Sequence, residues 1–226
     1  MIDIHSHILP CVDDGSKSFD MSYNILSSCV AEGVSAIVCT PHQNSKVQNA
    51  DALRGRFEEF KQRAENFPVK LYLGAEIYYF DGVVQALNEG RLLTLNDTRY
   101  VLVEFSTRNE MVYIPDALYS LSVAGYKPIV AHAERYASYL DKSGYAEIKE
   151  NGGLIQVNAP SFQIRERLKT IKYLLKRGMV DFIASDCHND TSRGVDFSMA
   201  KNFVKRRHSR MYERFFGSYY DDFLNN

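Results

Sequence analysis

Ile2-Asp3-Ile4-His5-Ser6-His7 opens the chain and reads as a short strand whose last residues carry two imidazoles. Residues two apart on a strand point the same way, so His5 and His7 can share one ion. A His-x-His pair alone is a weak signal, because polar strand ends often carry histidine. The arrangement returns along the chain, however. Thr40-Pro41-His42, Ala131-His132 and Ser185-Asp186-Cys187-His188 each follow a β-rich run, and Asp13, Asp14, Glu76 and Glu104 add carboxylates of the same character. Of the six histidines only His208, in the basic run Lys205-Arg206-Arg207-His208, falls on a helical surface. Ligand types gathered in this way point to a polynuclear metal site and a metal-dependent hydrolase.

Strands are expected at 2–4, 35–39, 69–73, 100–104, 128–131, 154–157 and 181–184. Helical patterns lie at 18–32, 50–66, 81–88, 110–124, 143–151, 160–177, 196–208 and 209–223. Gly33, Gly125, Gly152-Gly153 and Gly178 stand between a helix and the next strand, where a helix-ending glycine belongs. Strand–helix alternation argues for an α/β fold with a parallel sheet. An open sheet gathers its ligands near one crevice, whereas a barrel brings the C-terminal ends of all its strands to one mouth. Six of the seven expected strands end in candidate ligands, which favours the barrel. With no internal repeat, low-complexity tract or linker, residues 1–226 read as a single domain.

Apolar residues make up 45% of the chain and charged residues 24%, and the net charge is −1. No overall basic field points to nucleic acid, and Lys205-Arg206-Arg207 reads as a solvated helix face. No secretory signal or membrane-length apolar run is visible, so a cytoplasmic protein without membrane insertion is expected. The four cysteines (11, 29, 39 and 187) lack zinc-finger spacing and read as reduced thiols.

The stretch Ile2-Asp3-Ile4-His5-Ser6-His7-Ile8-Leu9-Pro10-Cys11-Val12-Asp13-Asp14-Gly15 resembles the opening of the polymerase and histidinol phosphatase (PHP) superfamily. More narrowly, it resembles the bacterial protein-tyrosine phosphatases associated with capsule and exopolysaccharide synthesis. The similarity continues, in family order, through Thr40-Pro41-His42, Gly74-Ala75-Glu76, Val103-Glu104-Phe105, Ala131-His132-Ala133-Glu134-Arg135-Tyr136 and Ser185-Asp186-Cys187-His188. Three positions depart from it: Cys11 where glycine is usual, Gln43 where a second histidine often follows His42, and Ala133 where proline is common. None replaces a ligand.

The resemblance implies a distorted seven-stranded (β/α) barrel of the PHP type, TIM-barrel-like, holding three divalent metal ions. His5, His7, Glu76 and Asp186 would hold the first, Glu76, Glu104 and His132 the second, and Asp14, His42 and His188 the third. Imidazole and carboxylate donors suit manganese, iron or zinc, and the family favours manganese. Hydroxide bridging the ions would attack phosphorus in line, with Arg135 and Arg193 on the non-bridging oxygens. The implied substrate is a phosphotyrosine protein, the tail of a bacterial tyrosine kinase regulating polysaccharide synthesis.

Tyr78, Tyr79, Phe80 and Tyr113 either form an aromatic entrance for phosphotyrosine or pack the barrel rim. Tyr219-Tyr220-Asp221-Asp222 reads as the end of a packing helix. Two rivals stand beside the tyrosine phosphatase. Cys187 and Arg193 have the Cys-x5-Arg spacing of thiolate phosphatases, though the loop between them has no glycine and its His188 already has a place among the ligands. A histidinol-phosphate phosphatase, or another small phosphate monoesterase, would use the same metal centre. A protein that binds metal without catalysis would lack a ligand or a phosphate anchor, and none is missing here.

Overall fold

The computed structural model describes residues 1–44, 46, 49–107, 113–217 and 224. Nine strands alternate with helices: β1 Ile2–Ser6, β2 Ala36–Cys39, β3 His42–Gln43, β4 Lys70–Leu73, β5 Glu76–Tyr78, β6 Tyr100–Glu104, β7 Lys127–Val130, β8 Leu154–Asn158 and β9 Phe182–Ala184. All their pairings are parallel, in the orders β1-β2-β4 and β3-β5-β6-β7-β8-β9. The fold is thus α/β with a curled parallel sheet. Backbone hydrogen bonds from His7 N to Cys187 O (2.9 Å) and from Asp186 N to His5 O (2.9 Å) join β1 to the segment that follows β9.

The second and third expected strands each break in two, at Thr40-Pro41 and at Gly74-Ala75, which is why nine strands are found where seven continuous ones were expected. Proline has no N–H to give to a ladder. A Cβ on Gly74 would come within 2.7 Å of Leu95 Cδ2, so a close approach to Leu95 fixes that break as well.

The helices are α1 Phe19–Ala31, α2 Ala50–Arg63, α3 Val83–Asn88, α4 Ile114–Val123, α5 Lys142–Glu150, α6 Arg165–Lys176, α7 Ser198–Arg207 and α8 Tyr212–Phe216. Ser18 caps α1 by accepting from Met21 N, and Asp141 caps α5 by accepting from Gly144 N, each satisfying a donor that the first turn leaves free. The expected helix at 160–177 is divided: Ala159–Gln163 forms a 3-10 turn, and Ile164 is extended before α6 begins. Of the helix expected at 209–223, the chain forms a 3-10 turn and α8. Its remainder, with Tyr219-Tyr220-Asp221-Asp222, lies outside the described residues, as do 110–112 at the start of the helix expected at 110–124. Lys205, Arg206 and Arg207 form an exposed helix face, as the sequence predicts. No described helix is long and apolar enough to cross a membrane.

Strand alternation divides the core. Ile2, Ile4, Ala36, Val38, Leu102, Ile129, Ala131, Phe182 and Ala184 form one buried cluster on one face of the sheet. Their neighbours, among them Ile37, Cys39, Val101, Val103, Val130, Ile155, Val157 and Ile183, join the larger cluster with the helices. Burial on both sides is what a curled sheet with helices on its outer face requires.

Candidate metal centre

The ligands stand where the sheet's strands end. β1 carries an irregularity between Asp3, paired with Ile37, and Ser6, paired with Cys39. Ile37 and Cys39 belong to the helix-side cluster, whereas Ile2 and Ile4 belong to the inner one. A bulge that shifts the alternation by one residue therefore lets His5 and His7 follow Ile2 and Ile4 on the inner side. Here Nε2 of His5 and Nε2 of His7 lie 3.2 Å apart.

Glu76 is the hub. Its Oε1 lies 2.9 Å from His132 Nε2 and 3.3 Å from His5 Nε2, and its Oε2 lies 3.0 Å from His42 Nδ1 and 3.2 Å from His7 Nε2. Glu104 Oε1 is 3.6 Å from His132 Nε2. Asp186 Oδ1 is 3.6 Å from both His5 and His7. Asp14, more than half exposed, reaches His42 Nε2 at 3.3 Å and His188 Nε2 at 3.5 Å. All nine residues expected to be ligands meet in one place. Donor atoms of His7, Asp14, His42 and His188, of His5, His7 and Asp186, and of His42, Glu76 and Glu104 form three groups, each within 4.8 Å.

Their electrostatics fit multivalent cations. Burial pulls the His7 imidazole down, but its contacts with Asp13 and Glu76 outweigh it and lift it to about 10. Burial and the neighbouring His7 charge push His188 down to about 4. Burial and the Glu76 charge push Glu104 up to about 7. Opposed shifts within one buried cluster mark groups that conflict over protons. Lone pairs of imidazoles and carboxylates facing a common centre are also what hard and borderline divalent ions take.

Side chains beyond the ligands set the imidazole protons. Asp13 Oδ2 accepts from His7 Nδ1 (2.7 Å) and His42 N (3.1 Å), and Asp13 Oδ1 accepts from Gly15 N (2.9 Å). Gly15 has to be glycine, because a Cβ there would lie 2.2 Å from His7 O. Gln156 Oε1 stands 3.1 Å from His5 Nδ1 and accepts from His132 N at 2.8 Å, while its amide donates to Asn158, which donates in turn to Asp186 Oδ2. In sequence Asp13 reads only as a carboxylate of the right character, and Gln156 and Asn158 give no sign of a role at the site beyond their polar alternation along the otherwise apolar Leu154–Asn158.

The two arginines meet at Asp186: Arg135 Nη2 donates to its Oδ2, and Arg193 Nη2 lies 3.5 Å from its Oδ1. The Nε of Arg135 is buried without a partner. Gln43 turns away from the centre, accepting from Leu93 N at 2.8 Å, so it takes no ligand role. Cys187 is fully buried, with Sγ 3.2 Å from Ser6 Oγ, and burial pushes its thiol up to about 12. That is the opposite of an activated thiolate. Of the aromatic residues, Tyr79 stacks on Tyr113 and both pack against Phe105 at a tilt, while Tyr78 is 39% exposed and follows Glu76 by two residues on β5. Rim packing accounts for Tyr79 and Tyr113, and Tyr78 is the one described member of the set open to solvent at the mouth.

A family model described as capsular polysaccharide synthesis, CpsB/CapC, matches residues 1–218. Tyrosine-protein phosphatase YwqE of Bacillus subtilis is 32% identical over 226 residues, covering 96% of this chain and 86% of the relative. Tyrosine-protein phosphatase CpsB of Streptococcus pneumoniae is 33% identical over 230 residues, covering 92% and 91%. A crystal structure from work on YwqE and CpsB, described as unique metal-dependent tyrosine phosphatases, superposes with a TM-score of 0.85 at 29% identity, covering 100% of this chain and 91% of that one.

Proposed function

The chain belongs to the CpsB/CapC family of capsular polysaccharide synthesis, and from that premise we propose that it is a metal-dependent protein-tyrosine phosphatase. The observation that carries the reading is the convergence of four imidazoles on the single buried carboxylate of Glu76. We read the nine strands as seven barrel positions within one domain, with β3 continuing β2 and β5 continuing β4. His5, His7, Glu76 and Asp186 would hold one ion. Glu76, Glu104 and His132 would hold a second, and Asp14, His42 and His188 a third. Manganese is the preferred metal, and iron and zinc suit the same donors.

Divalent ions held there acidify bound water and offset the charge of a phosphoryl group. The chain's own residues prepare that chemistry. Asp13 keeps the His7 proton on Nδ1 and leaves Nε2 free to donate its lone pair, as a carboxylate behind a ligating histidine does. Gln156 does the same for His5, and the carbonyl of Asp186 for His188. Arg135 and Arg193, poised on Asp186, would hold the non-bridging phosphate oxygens. Phenolate leaves readily, so a tyrosine phosphate asks less of a general acid than an alkyl phosphate does. We place the reaction in the cytoplasm, on the tail of a bacterial tyrosine kinase that governs polysaccharide synthesis.

Phosphate release from a phosphotyrosine peptide, a phosphoserine peptide and histidinol phosphate tests this, each with manganese and after chelation. Turnover of the tyrosine peptide, lost on chelation and restored by metal, is expected. Preference for histidinol phosphate would keep the centre and move the substrate to a small monoester. Chelator-resistant turnover would contradict the metal role.

A further inference from the structure

Beside the ligand cluster lies a cavity of about 460 Å³, lined among others by Arg135, Asn158, Ser161, Arg167, Asp186 and Arg193. Three of these residues, Arg135, Asp186 and Arg193, also belong to the metal and phosphate site, so the cavity opens directly onto it. Its charged side chains other than Arg167 already have polar partners. Arg135 and Arg193 face Asp186. Asp196, also on the lining, accepts from Gln163 Nε2 at 2.6 Å and from Ser198 N at 2.9 Å.

Arg167 is the exception. It stands in the first turn of α6, half-buried, and its described polar contact is a 3.4 Å approach of Nη1 to Ser161 Oγ. No ion pair to a carboxylate is found for it among the described residues. Ser161 is itself buried, in the 3-10 turn Ala159–Gln163 that directly follows β8. The hydroxyl under the guanidinium therefore sits on the turn that continues β8, whose Asn158 donates to Asp186. A half-buried guanidinium held in place at the wall of a cavity, without a counter-ion, is prepared to take a carboxylate or phosphate from a ligand.

We propose that Arg167 and this cavity form a substrate subsite for an anionic side chain neighbouring the phosphotyrosine. The proposal rests on the phosphatase reading, and it adds a determinant of which phosphotyrosines are chosen. With the phosphoryl group at the metal centre and held by Arg135 and Arg193, the adjoining peptide enters the cavity that shares those arginines. An acidic neighbour then meets Arg167.

The test uses full-length, manganese-loaded protein and fluorescent peptides that carry a non-hydrolysable phosphonate analogue of phosphotyrosine. The flanking residues are glutamate, phosphoserine or glutamine. Binding by fluorescence anisotropy should favour an anionic neighbour over glutamine by about fivefold, a usual size for one partly exposed charged contact. In Arg167→Gln that preference should fall to within about twofold, while Arg167→Lys should keep an intermediate value, since lysine retains the charge without the fork. A preference for glutamate, phosphoserine or both supports the subsite and identifies its anion. Equal affinity for all three peptides in the wild type would overturn it, as would a preference that survives in Arg167→Gln or an Arg167→Gln loss that is the same for every peptide. Phosphate release from the hydrolysable counterparts, measured in parallel, reports on the phosphatase reading alone. A protein that binds anionic peptides through Arg167 but hydrolyses none would separate the two ideas.

Discussion

His7 can donate to a metal through Nε2 only if its proton sits on Nδ1, and Asp13 puts it there at 2.7 Å. In sequence Asp13 and Asp14 are adjacent and alike. Only the turn back from Gly15 separates them, sending one behind His7 and leaving the other beside His42 and His188. The cluster of candidate ligands was legible because imidazoles and carboxylates recur at strand ends. The groups that orient them were not, because an aspartate, a glutamine or an asparagine carries no local sign of the ring it will meet. Cys11 is a related case: it adopts φ +60, a left-handed conformation that glycine occupies without cost. Cys187 shows the reverse error that spacing invites. Its Cys-x5-Arg register is intact, yet its side chain faces Ser6 on the helix side of the sheet. Cys187→Ser should therefore keep phosphotyrosine turnover within about threefold and cost about 1 kcal/mol of stability, since serine preserves the contact with Ser6 at slightly smaller volume. Steady-state kinetics with a denaturation curve will check this, and abolished turnover with full metal content would overturn the assignment.

At the scale of elements, the bulge in β1 and the breaks after β2 and β4 aim the ligands. The seven β-rich runs were readable from their Val, Ile and Leu content. The separate strands β3 and β5 were not, because His42–Gln43 is a strand through its register with β5, His42–Glu76 and Gln43–Ile77, and β5 pairs with β6 as well. That pairing joins residues far apart in sequence, which no local pattern specifies. His132 and Asp186 have φ of +33° and +53°, left-handed conformations costing about 1–2 kcal/mol each for residues with a Cβ; both turn ligands at strand ends. Two substitutions around the β1–α1 connection should separate stability from metal binding. Ser18→Ala removes the α1 cap and should lower stability by about 1 kcal/mol without changing metal affinity. Gly15→Ala drives a Cβ into the backbone of His7 and should weaken metal binding by at least about tenfold, since it displaces both His7 and its Asp13 partner. Urea melts and metal titration of the two variants check the contrast. Equal metal affinity in both would show that the close packing of Gly15 on His7 does not position the site.

Over the whole molecule, a parallel sheet places every strand's C-terminal end on one rim, and this chain uses that geometry around most of its curl. β8 supplies no ligand, which is why it looked silent in the sequence, yet its Gln156 and Asn158 tie His5, His132 and Asp186 together. Fold class and the clustering of the candidate ligands could be read because both depend on what stands at the ends of β-rich runs. The hydrogen-bonded ring behind the ligands depends on closure of the sheet, and local sequence does not report closure. Glu76, which four imidazoles contact, is the hub of the candidate centre. Stepwise return of manganese to metal-stripped protein, with bound metal per chain and phosphotyrosine turnover measured in the same samples, tests this most directly. The account predicts no turnover without metal, a rise that completes near three equivalents per chain, and a joint loss of metal and turnover of about a hundredfold or more in Glu76→Gln, beyond the effect of losing a supporting contact. Full turnover in metal-free protein, or Glu76→Gln that binds its full complement of metal and works normally, would contradict it.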